Sequence, residues 1–112
     1  LRERDLLKKT LVLCTGEFGR TPAINPAGGR DHWPTGFSLA LAGGGIRGGQ
    51  VLGSTDPEGK KKDPTNPVQV GDIHATVLTA LGINPQQLNE TPIGRTVRFA
   101  EGKPIEALLA KG

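Results

Sequence analysis

A run of four apolar residues, Leu11-Val12-Leu13-Cys14, sets the first limit on the fold. It is bounded by Thr10 on one side and Thr15-Gly16 on the other, a length that suits a strand rather than a helix. An unbroken apolar run, without alternation, reads as a strand covered on both faces, as in parallel sheets. An α/β architecture follows as the expectation. In open α/β sheets, ligands sit in the crevice beyond the carboxyl ends of the strands. The polar residues able to do chemistry begin at that point: Glu17 and Arg20 first, then Asp31 and His32 after a loop rich in Gly and Pro.

The remainder reads as scaffold for that edge. Leu1–Lys9 has the look of the tail of an amphipathic helix feeding the first strand. Phe37–Ala42 alternates bulky and small residues and is predicted as a second strand, with a short third at Gln50–Leu52. Between them, the glycines of Gly43–Gly49 invite a phosphate-cradle reading. No Gly-Lys-Ser/Thr ending follows, and a strand rather than a helix comes next, so neither the Walker nor the dinucleotide motif fits. A tight turn with positive φ at several positions is the better account. Ser54–Pro67 is polar and lysine-rich, and is predicted as an exposed loop. The clearest helix has Asp72 as its cap, Ile73, Val77, Leu78 and Leu81 on one face, and Gly82 as its stop. Pro85–Leu88 is predicted as a short helical piece, Thr96–Phe99 as an edge strand and Pro104–Ala110 as a terminal helix.

Composition excludes some classes. The chain has 112 residues, enough for one small domain, and a formal charge of +3 that is concentrated in local clusters such as Lys60-Lys61-Lys62. Aromatics are 4% with no Tyr, so stacking platforms for single-stranded nucleic acid are nearly absent, and no nucleic-acid partner is expected. One Cys excludes an internal disulfide, and Cys14 within the apolar run is expected to be a small buried hydrophobe. No segment approaches the length of a membrane span. The chain does not begin with Met, and residues 1–112 are read as a single partial domain of something longer.

Asp31-His32 is the strongest chemical candidate. Carboxylate and imidazole are common ligands of zinc and similar divalent ions, and Glu17 is a further oxygen donor. The same pair also suits general acid–base work. The structural alternative is a loop Asp in an Asx-turn and a His stacked on Trp33 or Pro34. Glu17 is alternatively an ion-pair partner of Arg20, three residues on. Arg20 is equally suited to gripping an anionic group through a bidentate contact. His74, in the first turn of the predicted helix, is expected to be partly buried and neutral, with a protonated imidazole opposing the macrodipole.

Together, Cys14-Thr15-Gly16-Glu17-Phe18-Gly19-Arg20-Thr21-Pro22, Gly29-Arg30-Asp31-His32-Trp33, Leu41-Ala42-Gly43-Gly44-Gly45-Ile46 and Asp72-Ile73-His74-Ala75-Thr76 resemble the C-terminal part of the family called domain of unknown function 1501. Gly94-Arg95 and Ile105-Glu106-Ala107-Leu108-Leu109 also fit. The resemblance implies a relation to the alkaline phosphatase-like superfamily, which includes sulfatases. It therefore implies the C-terminal portion of a three-layer α/β sandwich with a mostly parallel sheet, and an exported or periplasmic protein. The implied site is metal-dependent, with zinc, calcium or magnesium held at the sheet edge. The superfamily's strand-end signature is Thr-Ser-Asp-His-Gly, and this chain has Thr15-Gly16-Glu17-Phe18-Gly19 there. Glu17 substitutes for the Asp as an oxygen ligand, whereas Phe18 cannot substitute for the His. His32 matches the later metal-binding His, and the superfamily nucleophile has no counterpart in this sequence.

Two functions follow as expectations. The first is a hydrolase of phosphate or sulfate esters, small or polymeric, with Glu17, Asp31 and His32 as metal ligands and Arg20 as the catalytic oxyanion clamp. The second is a non-catalytic relative that binds an anionic ligand or a partner protein, favoured by Phe18 at a ligand position.

Overall fold

The computed structural model describes residues 1–60 and 63–111. Its elements are the strands β1 (Leu11–Thr15), β2 (Gly19–Arg20), β3 (His32–Trp33) and β4 (Leu39–Gly43), the helix α1 (Val70–Ala80), the strands β5 (Leu88–Glu90) and β6 (Thr96–Arg98), and three short 3-10 turns. The strands pair as three two-stranded sheets, β1 with β4, β2 with β3, and β5 with β6. The chain divides into two compact units: residues 1–12, 41–50 and 68–112, and residues 13–40 and 51–67.

The expected mostly parallel three-layer sandwich is not what forms. The second and third sheets are antiparallel pairs, and α1 is the one α-helix among the described residues. Neighbouring parallel strands need crossover connections, usually helical. Here the long connection from β1 to β4 folds into the β2–β3 hairpin instead. The strand itself falls where the apolar run predicts it, but its surroundings differ. Val12, Leu13 and Cys14 are all exposed, Leu13 at 44%. An apolar run identifies a strand but does not supply the layers that would cover it.

In the first unit, the predicted Leu1–Lys9 helix is replaced by two 3-10 turns, Arg2–Arg4 and Leu7–Lys9. Helix nucleation is costly, and segments this short rarely sustain an α-helix without tertiary cover. The terminal Pro104–Ala110 likewise forms only a 3-10 turn at Glu106–Leu108. The predicted helical piece at Pro85–Leu88 is a turn leading into β5.

Helix α1 starts earlier than predicted, and Asp72 is not its cap. Gln69 holds that position in extended conformation, without a side-chain cap. Asp72 lies in the first turn, where its carboxylate suits the helix dipole and accepts the Lys103 N–H at 2.9 Å. The predicted stop is correct. Gly82 N–H donates to Thr79 O and Ile83 N–H to Leu78 O, the paired bonds of a Schellman ending. Ile73, Ala75 and Thr76 are the buried residues of the helix, and Ala100 and Leu109 complete the small core. Leu81, expected on the apolar face, is 57% exposed. His74, expected to be partly buried, is exposed.

Several contacts seat residues 102–110 in this unit. Gly102 lies against the backbone of Gly71 so closely that no side chain fits. Asp72 takes Lys103, and Thr76 Oγ1 accepts the Ile105 N–H at 2.9 Å. Further on, Leu109 bridges Ile46, with Arg47 N–H donating to Leu108 O and Ala110 N–H to Gly45 O. The glycine run is the turn the sequence predicts, with positive φ at Gly43, Gly45 and Gly49.

In the second unit, β4 begins two residues later than the predicted Phe37–Ala42. Gln50–Leu52 is not a strand. A single bridge, Ser54 with Thr65, ties the base of the Ser54–Pro67 loop. Of the predicted lysine cluster, Lys61 and Lys62 lie outside the described residues, and Lys60 is exposed. No described helix is long and apolar enough to cross a membrane.

Candidate functional site

The β2–β3 hairpin brings together residues that the sequence separates by a loop. Gly19 lies opposite Trp33, and Arg20 opposite His32. Pairing continues past the strands: Thr21 N–H donates to Asp31 O at 3.0 Å, and Asp31 N–H to Thr21 Oγ1 at 3.1 Å. Two guanidinium groups then lace the hairpin across its width. Arg20 Nη1 donates to Arg30 O at 3.0 Å. Arg30 Nη1 donates to Thr21 O at 2.8 Å and to Pro22 O.

The loop beyond is organised by Asn25. Its Oδ1 accepts the N–H of Ala27 at 3.1 Å and of Gly29 at 2.9 Å. Its Nδ2 donates to Asp31 Oδ1 at 2.9 Å. The Asx-turn expected of Asp31 therefore belongs to Asn25, and Asp31 is the acceptor that Asn25 holds. The Asn25-Pro26 step followed by Gly28-Gly29 is the sequence signal for this turn.

His32 stacks on Phe18. Its ring lies 3.9 Å from the Phe18 ring, tilted by 31°. The Arg20 guanidinium carbon lies 5.4 Å from the centroid of the same ring. Phe18 thus has imidazole and guanidinium against one ring, a contact worth about 0.5–1 kcal/mol on its cation–π side at an exposed site. The expected Glu17–Arg20 ion pair does not form, and Glu17 is exposed. Phe18, Asn25 and Arg30 are the residues of this region whose roles sequence reasoning missed.

A cavity of about 370 Å³ opens beside the hairpin, lined by Thr21, Pro22, His32, Trp33, Thr35 and Lys60 among others. Lys60 arrives there on a turn built by Asp56, whose carboxylate accepts the N–H groups of Glu58 and Lys60. The Lys60 ammonium pairs with Glu58, both side chains largely exposed.

Glu17, Asp31 and His32 all belong to this unit. They do not make a metal centre by themselves: among the described residues, no group of three or more His, Cys, Asp or Glu is placed to hold an ion. Asp31 is committed to Asn25, and one face of His32 to Phe18. The chemistry the arrangement supports directly is donation of hydrogen bonds from fixed, exposed cations.

No curated protein and no solved structure matches the chain. A family profile does match, over residues 1–109, under the description "Protein of unknown function (DUF1501)". With nearly its whole length inside that match, the chain belongs to the DUF1501 family.

Proposed function

We propose that the β2–β3 hairpin binds the anionic group of a phosphate or sulfate ester, with Arg20 as the principal donor. The observation that carries this reading is the anchoring of Arg20. One terminal nitrogen is fixed on Arg30 O, and the plane is supported by Phe18. Its other donors make no further hydrogen bond among the described residues, and the side chain is exposed. A guanidinium held this way loses little rotamer freedom when it grips a tetrahedral oxyanion, and its fork matches that geometry. His32, directly across the ladder, adds a second donor.

Titration calorimetry with inorganic phosphate and inorganic sulfate tests this. Saturable binding that Arg20→Gln weakens at least about tenfold supports the reading, since a charge-assisted hydrogen bond contributes about 1.5–3 kcal/mol. Unchanged affinity in that variant removes it.

A second reading is a metal-assisted ester hydrolase of the sulfatase-like kind. It is favoured by Glu17 and His32, exposed side chains without hydrogen bonds among the described residues. A metal would supply Lewis acidity toward the ester oxygen. Since no group of three or more donors among the described residues is placed to hold an ion, the reading needs further ligands. Elemental analysis, together with a panel of phosphate and sulfate esters, separates the two. Metal that is lost in His32→Ala but kept in His74→Ala supports the hydrolase, and metal-free wild-type protein sinks it.

A further inference from the structure

We infer that the hairpin takes a ligand bearing two neighbouring tetrahedral oxyanions, one on Arg20 and one on Arg30. This rests on the anion-binding reading above and adds to it a second position. The two guanidinium groups are locked reciprocally. Arg20 donates to the carbonyl of Arg30, and Arg30 donates to the carbonyls of Thr21 and Pro22, the residues that follow Arg20. Both cations are therefore fixed on one short stretch of ladder, and both are exposed. Each is held through a single terminal nitrogen, and neither makes an ion pair among the described residues.

Neither nearby carboxylate makes an ion pair with them among the described residues. Asp31 is turned to Asn25, and Glu17 pairs with neither arginine. Lys60 reaches the cavity that Thr21 and Pro22 line, but Glu58 offsets its charge, so the two-point grip belongs to the arginines. Two fixed like charges repel each other, and a ligand with two anionic groups relieves both at once. Its second contact is intramolecular, which raises affinity beyond the sum of independent sites.

Four probes test this on the full chain: inorganic phosphate, tripolyphosphate, inorganic sulfate and a disulfated disaccharide. The expected result is that at least one multi-anion probe binds about tenfold or more tightly than its single-anion counterpart. Whichever arm shows the excess identifies polyphosphate or sulfated sugar as the source. Arg30→Gln should reduce that excess to about threefold or less, measured as the ratio of multi-anion to single-anion affinity in the same variant, and Arg30→Lys should restore part of it. An excess of about threefold or less in the wild type, no more than repeated groups give statistically, overturns the inference and leaves the single-anion reading standing. That comparison needs no variant, so a misfolded Arg30→Gln does not obscure it. Absence of saturable binding by all four probes removes both readings.

Discussion

The hydroxyl of Thr76, on helix α1, accepts the backbone N–H of Ile105 at 2.9 Å while donating to Asp72 O at 2.6 Å. Thr76 is fully buried, so this hydroxyl is the acceptor for an amide 29 residues away. Thr76→Val keeps the shape and deletes the acceptor. It should destabilise the fold by about 1–3 kcal/mol, the cost of leaving a buried amide unpaired. Thr76→Ser, which keeps the hydroxyl, should lose less. Urea unfolding midpoints of the two variants check the order, and a larger loss in Thr76→Ser would show that the methyl group matters more than the bond.

Gly45 sits at φ 76°, and a Cβ there would lie 2.6 Å from Ala80 O. Gly45→Ala should therefore cost more than about 1 kcal/mol, through backbone strain and steric contact together. Gly48, in the same run, has open space around its missing Cβ. Gly48→Ala should be neutral or stabilising by up to about 1 kcal/mol, because it restricts the unfolded chain. Thermal melts of both variants test whether the run is a turn with strict and tolerant positions side by side.

Asn25 both accepts from the loop amides and donates to Asp31. Asn25→Asp retains the acceptor but places a second carboxylate against Asp31. Stability at neutral pH should fall, by about 1 kcal/mol at this exposed site. Repulsion between two ionised carboxylates raises the folded-state pKa of the pair above its unfolded value. The deficit should therefore shrink as pH falls through the carboxylate range near ~4, where one of the two protonates. A deficit independent of pH would point to a steric cause.

Cys14 is exposed on β1. One thiol per chain should react with an aromatic disulfide reagent in the folded protein, without denaturant, at a rate close to that of a free thiol. Protection that only urea removes would restore the buried reading.

The same cysteine shows where sequence reasoning reached its limit. Leu11–Cys14 was legible as a strand because apolar runs of that length favour extended chain. Burial of both faces was not legible, since it depends on what packs above and below. Helix α1 was found through its 3.6-residue periodicity and its Gly82 stop. Its start was misplaced because Asp72, a good cap by type, is occupied by the Lys103 amide from 31 residues downstream. At the candidate site, Arg20 and His32 stood out by residue type, and the hairpin that sets them opposite each other is real. Phe18 gave no sign of its stacking on His32, because only the closed loop brings the rings together. Asn25 was the readable omission, since Asn before Pro and a Gly pair is a turn signature.

Gly102 meets the bare backbone of Gly71 and Asp72, which gives the steric freedom at that spot no donor. A crowded side chain can normally be accommodated by trimming its neighbour, and here the neighbour is already a glycine. A methyl group at 102 has no second-site suppressor by size, so the relief is for residues 102–105 to lift from the helix. That movement would separate Asp72 from Lys103 and Thr76 from Ile105 in one event. The start of this segment is thus held by one fit, and its contacts with the helix form or fail together.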